Sequence, residues 1–132
     1  MKIRSGIDTV HIPRIEKICD SQQAFLAKCF TPDEIGYARS HTSKNRVNEI
    51  FAGRFAAKEA VAKALGTGIM AEGIELTDIE VLPDAKGTPQ LNLYGEALKK
   101  AQELCMTSSS VSITHEKDFA TAVCVLLCDE EV

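Results

Sequence analysis

No stretch of the sequence approaches the ~18 consecutive apolar residues that a membrane-spanning helix requires, so no membrane partner is expected. The opening MKIRSGIDTV has two positive charges but no long apolar run, which argues against a signal peptide and for a cytoplasmic protein. Excess positive charge is also missing. Fifteen Lys and Arg stand against nineteen Asp and Glu, a net charge of −4, and this excludes a general nucleic-acid binder. The five cysteines (Cys19, Cys29, Cys105, Cys124 and Cys128) are odd in number, and no pair has CxxC spacing. Neither a zinc site nor a disulfide framework is expected, and buried, reduced thiols are the plain reading. There is no Walker motif and no arguable Ser/His/Asp set. Internal repeats, low-complexity tracts and linkers are absent too, which leaves one domain over residues 1–132.

What is present is an ordinary globular balance, 45% hydrophobic and 26% charged, with the charge unevenly placed. Residues 1–54 carry a net +3 and residues 55–132 a net −7. A basic front half suits an acidic partner or phosphate, and a solvated mixed surface accounts for it equally. The chain reads as α+β. Residues 3–10 form a short strand broken by Gly6, and Pro13 opens a helix with Ile12, Ile15 and Ile18 on one face. Ser21 is placed to cap a second short helix. In Thr31-Pro32-Asp33-Glu34 a capping residue, a first-turn proline and a glutamate three after the cap announce a third. Residues 41–48 read as a polar loop. The longest helical pattern runs from about Val47 to Leu65 and stops at Gly66-Thr67-Gly68. A hairpin over 78–93, a helix from Tyr94 to Cys105 and a final pair of strands turning at residues 115–118 complete the chain.

The densest chemistry lies in FAGRFAAKEAVAKALGTG, residues 51–68. Glu59 and Lys63 are four apart and share a helix face, an arrangement worth only about 0.2–0.5 kcal/mol as an ion pair. A surface ion pair accounts for those two residues taken alone. The GTG that follows lets a backbone approach a ligand, but it sits at the helix end whose partial charge is negative. A phosphate there requires Lys63 or a metal ion. Asp8 is a carboxylate in an apolar strand, so it must meet a partner, a metal or solvent. Asp8 and Glu59 suit one Mg²⁺ completed by water and phosphate oxygens, although spacing alone does not bring them together. His115, at a strand end, is either structural or a hydrogen-bond donor to phosphate.

Three stretches together resemble one family, the holo-acyl-carrier-protein synthases, short bacterial members of the 4′-phosphopantetheinyl transferases. GIDTVHIPRI (6–15) resembles the family's G-x-D-x-x-x-x-x-R-I pattern. FAGRFAAKEAVAKALGTG is close to its F-x-x-R-F-x-x-K-E-A-x-x-K-A-x-G-T-G signature. VSITHEKDFATAVCV (111–125) is similar to its C-terminal strand pair, and the G-x-P of Gly87-Thr88-Pro89 agrees. The resemblance spans nearly the whole chain. It implies the family's fold, a small, mostly antiparallel sheet packed with a long central helix and shorter ones. It also implies a reaction: the 4′-phosphopantetheine arm of coenzyme A moves to a serine of apo acyl carrier protein, and adenosine 3′,5′-bisphosphate leaves. Fatty acid biosynthesis is the family's usual setting.

Residue by residue, the resemblance implies that Asp8 and Glu59 hold Mg²⁺, with Mn²⁺ as a substitute, and that Lys63 contacts the pyrophosphate. Gly66, Thr67 and Gly68 then line the coenzyme A site, while Arg46, Arg54 and His115 face the nucleotide end. Arg14 faces the carrier, and Phe25 and Phe55 supply apolar contacts. For the general base, Glu59 or a neighbouring carboxylate acting through a water molecule, and Glu34, are all open. The family's short members are homotrimers with the site between subunits, and the same is expected here. Ser5 and Thr9 depart from the commoner residues around Asp8. The competing reading is a non-catalytic coenzyme A- or carrier-binding module of the same fold, and the presence of Asp8, Glu59 and Lys63 speaks against it.

Overall fold

A computed structural model describes residues 1–67 and 71–129. In chain order the elements are β1 (Lys2–His11), α1 (Ile12–Ser21), α2 (Gln23–Cys29), α3 (Pro32–Arg39), α4 (Lys44–Ala64), β2 (Ile79–Pro83), β3 (Pro89–Leu93), α5 (Gly95–Glu103), β4 (Met106–Glu116) and β5 (Phe119–Cys128). Short 3₁₀ turns at Ala71–Gly73 and Leu76–Asp78 lead into β2. β1, β5 and β4 form an antiparallel sheet in that order, and β2 with β3 forms a separate antiparallel hairpin. The architecture is α+β, as the sequence pattern predicts.

The sheet has one covered face. Along β5 the even residues Ala120, Ala122, Cys124, Leu126 and Cys128 are fully buried, and the intervening residues face out. This is the two-residue period of a half-buried strand. α4 lies across the covered face and packs on β1, β5 and β4. It is buried on nearly every side, and its alanines 52, 56, 57, 60, 62 and 64 allow close approach. A helix enclosed all round is a core element, which explains why its apolar residues follow no single stripe.

Local signals account for most boundaries. Thr31 and Glu34 form a reciprocal capping box, a device worth about 1 kcal/mol. Beyond α4, Gly66 takes φ 81°; its N–H donates to the Lys63 carbonyl, and the Thr67 N–H donates to that of Ala62. That pair of bonds is a Schellman stop, and it needs glycine at the left-handed position. Three expectations change. β1 is continuous through Gly6 rather than broken there. Ser21 ends α1, its hydroxyl donating to the Lys17 carbonyl, and Gln22 precedes α2 without a side-chain cap. The polar run 41–48 is loop only as far as Ser43, whose hydroxyl accepts from the Arg46 N–H and starts α4 at Lys44. A polar first turn hides a helix start when its buried face begins only at Asn48.

The cysteines form no disulfide among the described residues. Four are buried, and Cys105 is exposed, unlike the expectation for all five. Burial pushes the thiols of Cys19 and Cys29 up to about 11 and that of Cys124 to about 12, so these are inert packing residues. No described helix is long and apolar enough to cross a membrane.

Candidate active site

The strand β1 runs beside α4 at very short range. At Gly6 an added Cβ would stand 2.0 Å from the Ala60 carbonyl oxygen and 2.8 Å from the Ala64 nitrogen. Only glycine permits this approach. Two residues along, Asp8 points to the same helix-facing side. There it meets Lys63, whose ammonium donates to Asp8 Oδ1 at 3.2 Å and to the Ile7 carbonyl at 2.9 Å. Glu59, one turn before Lys63, is half-buried. Its carboxyl is pushed above the ordinary range by burial first and by the negative charge of Asp8 second. Lys63 and Arg14 oppose that shift. Asp8, Glu59, Lys63 and Arg14 therefore share one electrostatic neighbourhood. Arg14 is exposed on α1. A cavity of about 350 Å³ opens beside Lys63, lined by Ser5, Gly6, Ile7 and Val123.

Two mutually repelling carboxylates, one of them strained toward its neutral form, fit a divalent oxygen-seeking cation. Among the described residues no third His, Cys, Asp or Glu joins them. The donor set suits Mg²⁺, which keeps several positions for water and phosphate, rather than an all-protein cage.

A second group lies toward the start of α4. His115 Nε2 is 3.1 Å from the Glu49 carbonyl, and Arg46 pairs with Glu49 at 3.8 Å. The His115 ring passes so close to α4 that a Cβ on Gly53 would stand 3.2 Å from it. Arg46 and Glu59 are thirteen residues apart on one helix, which is roughly 20 Å along the axis and on different faces. One chain thus holds the two groups of predicted residues but does not bring them together. Arg54 lies on another side of α4, buried, its Nε donating to the Val81 carbonyl at 3.3 Å. Phe25 and Phe55 pack on each other with ring centroids 6.2 Å apart, both half-buried. Gly66 and Thr67 form the stop beyond Lys63, and Gly68 falls outside the described residues.

Glu34 is not at the site. It is 2% exposed; Oε1 accepts from the Thr31 N–H and from Lys58 Nζ, and Oε2 accepts from the Val81 N–H. A carboxylate so enclosed and so bonded is a structural tie and not a base facing the site. Lys58, passed over in the sequence reading, is completely buried. Its ammonium is 2.7 Å from Glu34 and also donates to the Leu76 and Ile79 carbonyls. The available signal was its i, i+4 spacing from Arg54 inside an alanine-rich run.

The family model described as 4′-phosphopantetheinyl transferase superfamily matches residues 4–124. The chain belongs to this superfamily. A holo-[acyl-carrier-protein] synthase of Natranaerobius thermophilus is 42% identical over 130 residues, covering 98% of this chain and 100% of that relative. The one from Solidesulfovibrio magneticus is 47% identical over 122 residues, covering 92% and 94%. Among solved structures, the ACPS–CoA complex of Chronobacterium ammoniagenes superposes with TM-score 0.83 at 33% identity, covering 98% of this chain and 100% of the other. The Bacillus anthracis holo-(acyl-carrier-protein) synthase in complex with CoA (3′,5′-ADP) has TM-score 0.76 at 37% identity, covering 93% and 94%. As a phosphopantetheinyl transferase, this chain carries its two acidic residues and Lys63 on the closely packed β1–α4 pair.

Proposed function

We infer that this chain is a holo-[acyl-carrier-protein] synthase. It transfers 4′-phosphopantetheine from coenzyme A to a serine of apo acyl carrier protein and releases adenosine 3′,5′-bisphosphate. The observation that carries the site assignment is the meeting of Asp8, Glu59 and Lys63 from distant parts of the sequence. Asp8 and Glu59 hold Mg²⁺, which when bound neutralises charge on the pyrophosphate. Lys63, with its side chain 53% exposed, turns its ammonium from Asp8 toward the pyrophosphate. Glu59 takes the serine proton through a water molecule. Gly66, Thr67 and Gly68 belong to the coenzyme A site, and Arg46, Arg54 and His115 receive the nucleotide.

The carrier is acidic, and the basic first half of this chain complements it. Arg14 contacts the carrier from α1, close enough to Glu59 to feel its charge. Phe25 and Phe55 add an apolar edge. The active form is a homotrimer acting in fatty acid biosynthesis in the cytoplasm. Support for the assembly comes from the outer face of the sheet, where Ile3, Ile7, Phe119 and Val125 are exposed. A neighbour covering that face adjoins the cavity beside Lys63, and its own Arg46 and His115 supply the nucleotide end that one chain keeps too far away.

Intact-mass spectrometry of apo acyl carrier protein incubated with this protein, coenzyme A and Mg²⁺ tests the reading. A gain of one phosphopantetheine arm, abolished by EDTA, is expected. Binding of coenzyme A without any gain on several carriers would overturn it.

A further inference from the structure

Arg54 is held in an unusual way for a residue meant to meet a ligand. It keeps only 7% of its surface, and burial works against its charge. Its Nε is spent on the Val81 carbonyl. The flat guanidinium lies over the Tyr37 ring, 5.0 Å from the centroid. Among the described residues its two terminal nitrogens have no bonded acceptor, yet no side-chain nitrogen is buried without a partner. The open end of the fork is therefore the part that reaches solvent. A guanidinium fixed at one edge and on one face, with its terminal N–H groups outward, is preorganised for a phosphate.

Tyr37 is itself fixed. Its ring meets that of His41 edge-on, centroids 5.1 Å apart, and its carbonyl accepts from the Ser40 hydroxyl at 2.6 Å. The His41 Nδ1 lies 3.1 Å from the same carbonyl. The ring thus contacts both His41 and Arg54.

We propose that Tyr37 is a positioning residue that sets the plane of Arg54 and thereby governs recognition of the 3′-phosphate of coenzyme A. The proposal rests on the reading of Arg54 as a nucleotide-end residue. Without the ring, the fork keeps its charge but loses the surface that fixes its tilt, and a bidentate contact depends on tilt. The effect falls on coenzyme A binding and not on the transfer step, because Tyr37 sits on α3, away from Asp8 and Glu59.

Steady-state kinetics with coenzyme A and with 3′-dephospho-coenzyme A, at saturating apo carrier, provides the test. Tyr37→Leu is expected to raise KM for coenzyme A about tenfold with kcat nearly kept, and to leave KM for the dephospho form unchanged. Tyr37→Phe keeps the ring and should restore the wild-type KM. Arg54→Lys, which retains the buried charge, serves as reference, and thermal melting checks that each variant is folded. Equal KM changes for both substrates with Tyr37→Leu, or none for either, would overturn the proposal. If Arg54→Lys discriminates between the substrates and Tyr37→Leu does not, only the role of Tyr37 falls. If neither discriminates, the assignment of Arg54 falls with it.

Discussion

Gly6 has no side chain to do chemistry with, yet the placement of Asp8 depends on it. A methyl group there would run into the Ala60 carbonyl, the Ala64 nitrogen and Lys63 Cβ, at 2.0, 2.8 and 2.9 Å. Two of these are backbone atoms of α4 and do not yield. Gly6→Ala must push β1 off the helix and carry Asp8 away from Glu59. The expected outcome is a lowered melting temperature together with loss of most Mg²⁺-dependent turnover, although no charged residue has changed. Mass spectrometry of the carrier and a melting curve with and without Mg²⁺ check this. Melting of the variant should no longer respond to the cation, since a site that binds only the native state raises stability only while it is intact.

At the scale of elements, α4 is tied to α3 and β2 by charges that lie almost wholly within the fold. Arg54 and Lys58 point from one side of α4, and Glu34 and Glu80 answer from α3 and β2. Each cation feels the Glu34 charge, and Lys58 feels that of Glu80 as well. Such a set is weak evidence for net stability but costly to break one member at a time. Lys58→Met leaves Glu34 buried and uncompensated, and should cost about 3–5 kcal/mol in urea unfolding. Adding Glu34→Gln removes the stranded charge and should recover part of that loss. Glu80 belongs to the same layer. Burial raises its carboxyl, but bonds from Thr31, Asn92 and Tyr94 and the Lys58 charge outweigh this and hold it below the ordinary glutamate value. A depressed folded-state pKa stabilises the fold above the unfolded value of about 4.5 and is lost as pH falls through the folded one. Glu80→Gln should therefore flatten the acid limb of the stability curve below about pH 4.5 and lower stability at neutral pH.

The whole molecule is asymmetric in a way no single element shows. Its three-stranded sheet is sealed by α4 on one face and carries an apolar band along β1 and β5 on the other, where Ile3 pairs across from Leu127 and Ile7 from Val123. Exposure reaches 69% at Ile3 and 58% at Ile7. An exposed apolar band of this kind suits an association surface. Val125→Lys should leave a folded monomer by sedimentation and circular dichroism. That monomer should have lost transfer activity, because in the proposed homotrimer the nucleotide end of each site comes from a neighbour.

The β-rich runs of the final strand pair, the TPDE capping box and the glycine stop after Leu65 were legible because each is local, decided by residues a few positions apart. The start of α4 was not, since its first turn is polar and only its later turns are buried. The resemblance singled out Asp8, Glu59 and Lys63 and implied their roles. Whether 8 and 59 face one another is a matter of strand–helix distance, which no spacing records. The same limit applies to Glu34: its sequence context announced a cap, and only packing revealed a carboxylate bonded on both oxygens by Lys58, Val81 and Thr31. By itself the sequence determined the family, the order of elements and the chemistry available, because these follow from residue types and short-range periodicity. Tertiary structure alone decided which charges meet and which are sealed from water. Those outcomes depend on distances between segments that are remote in the chain.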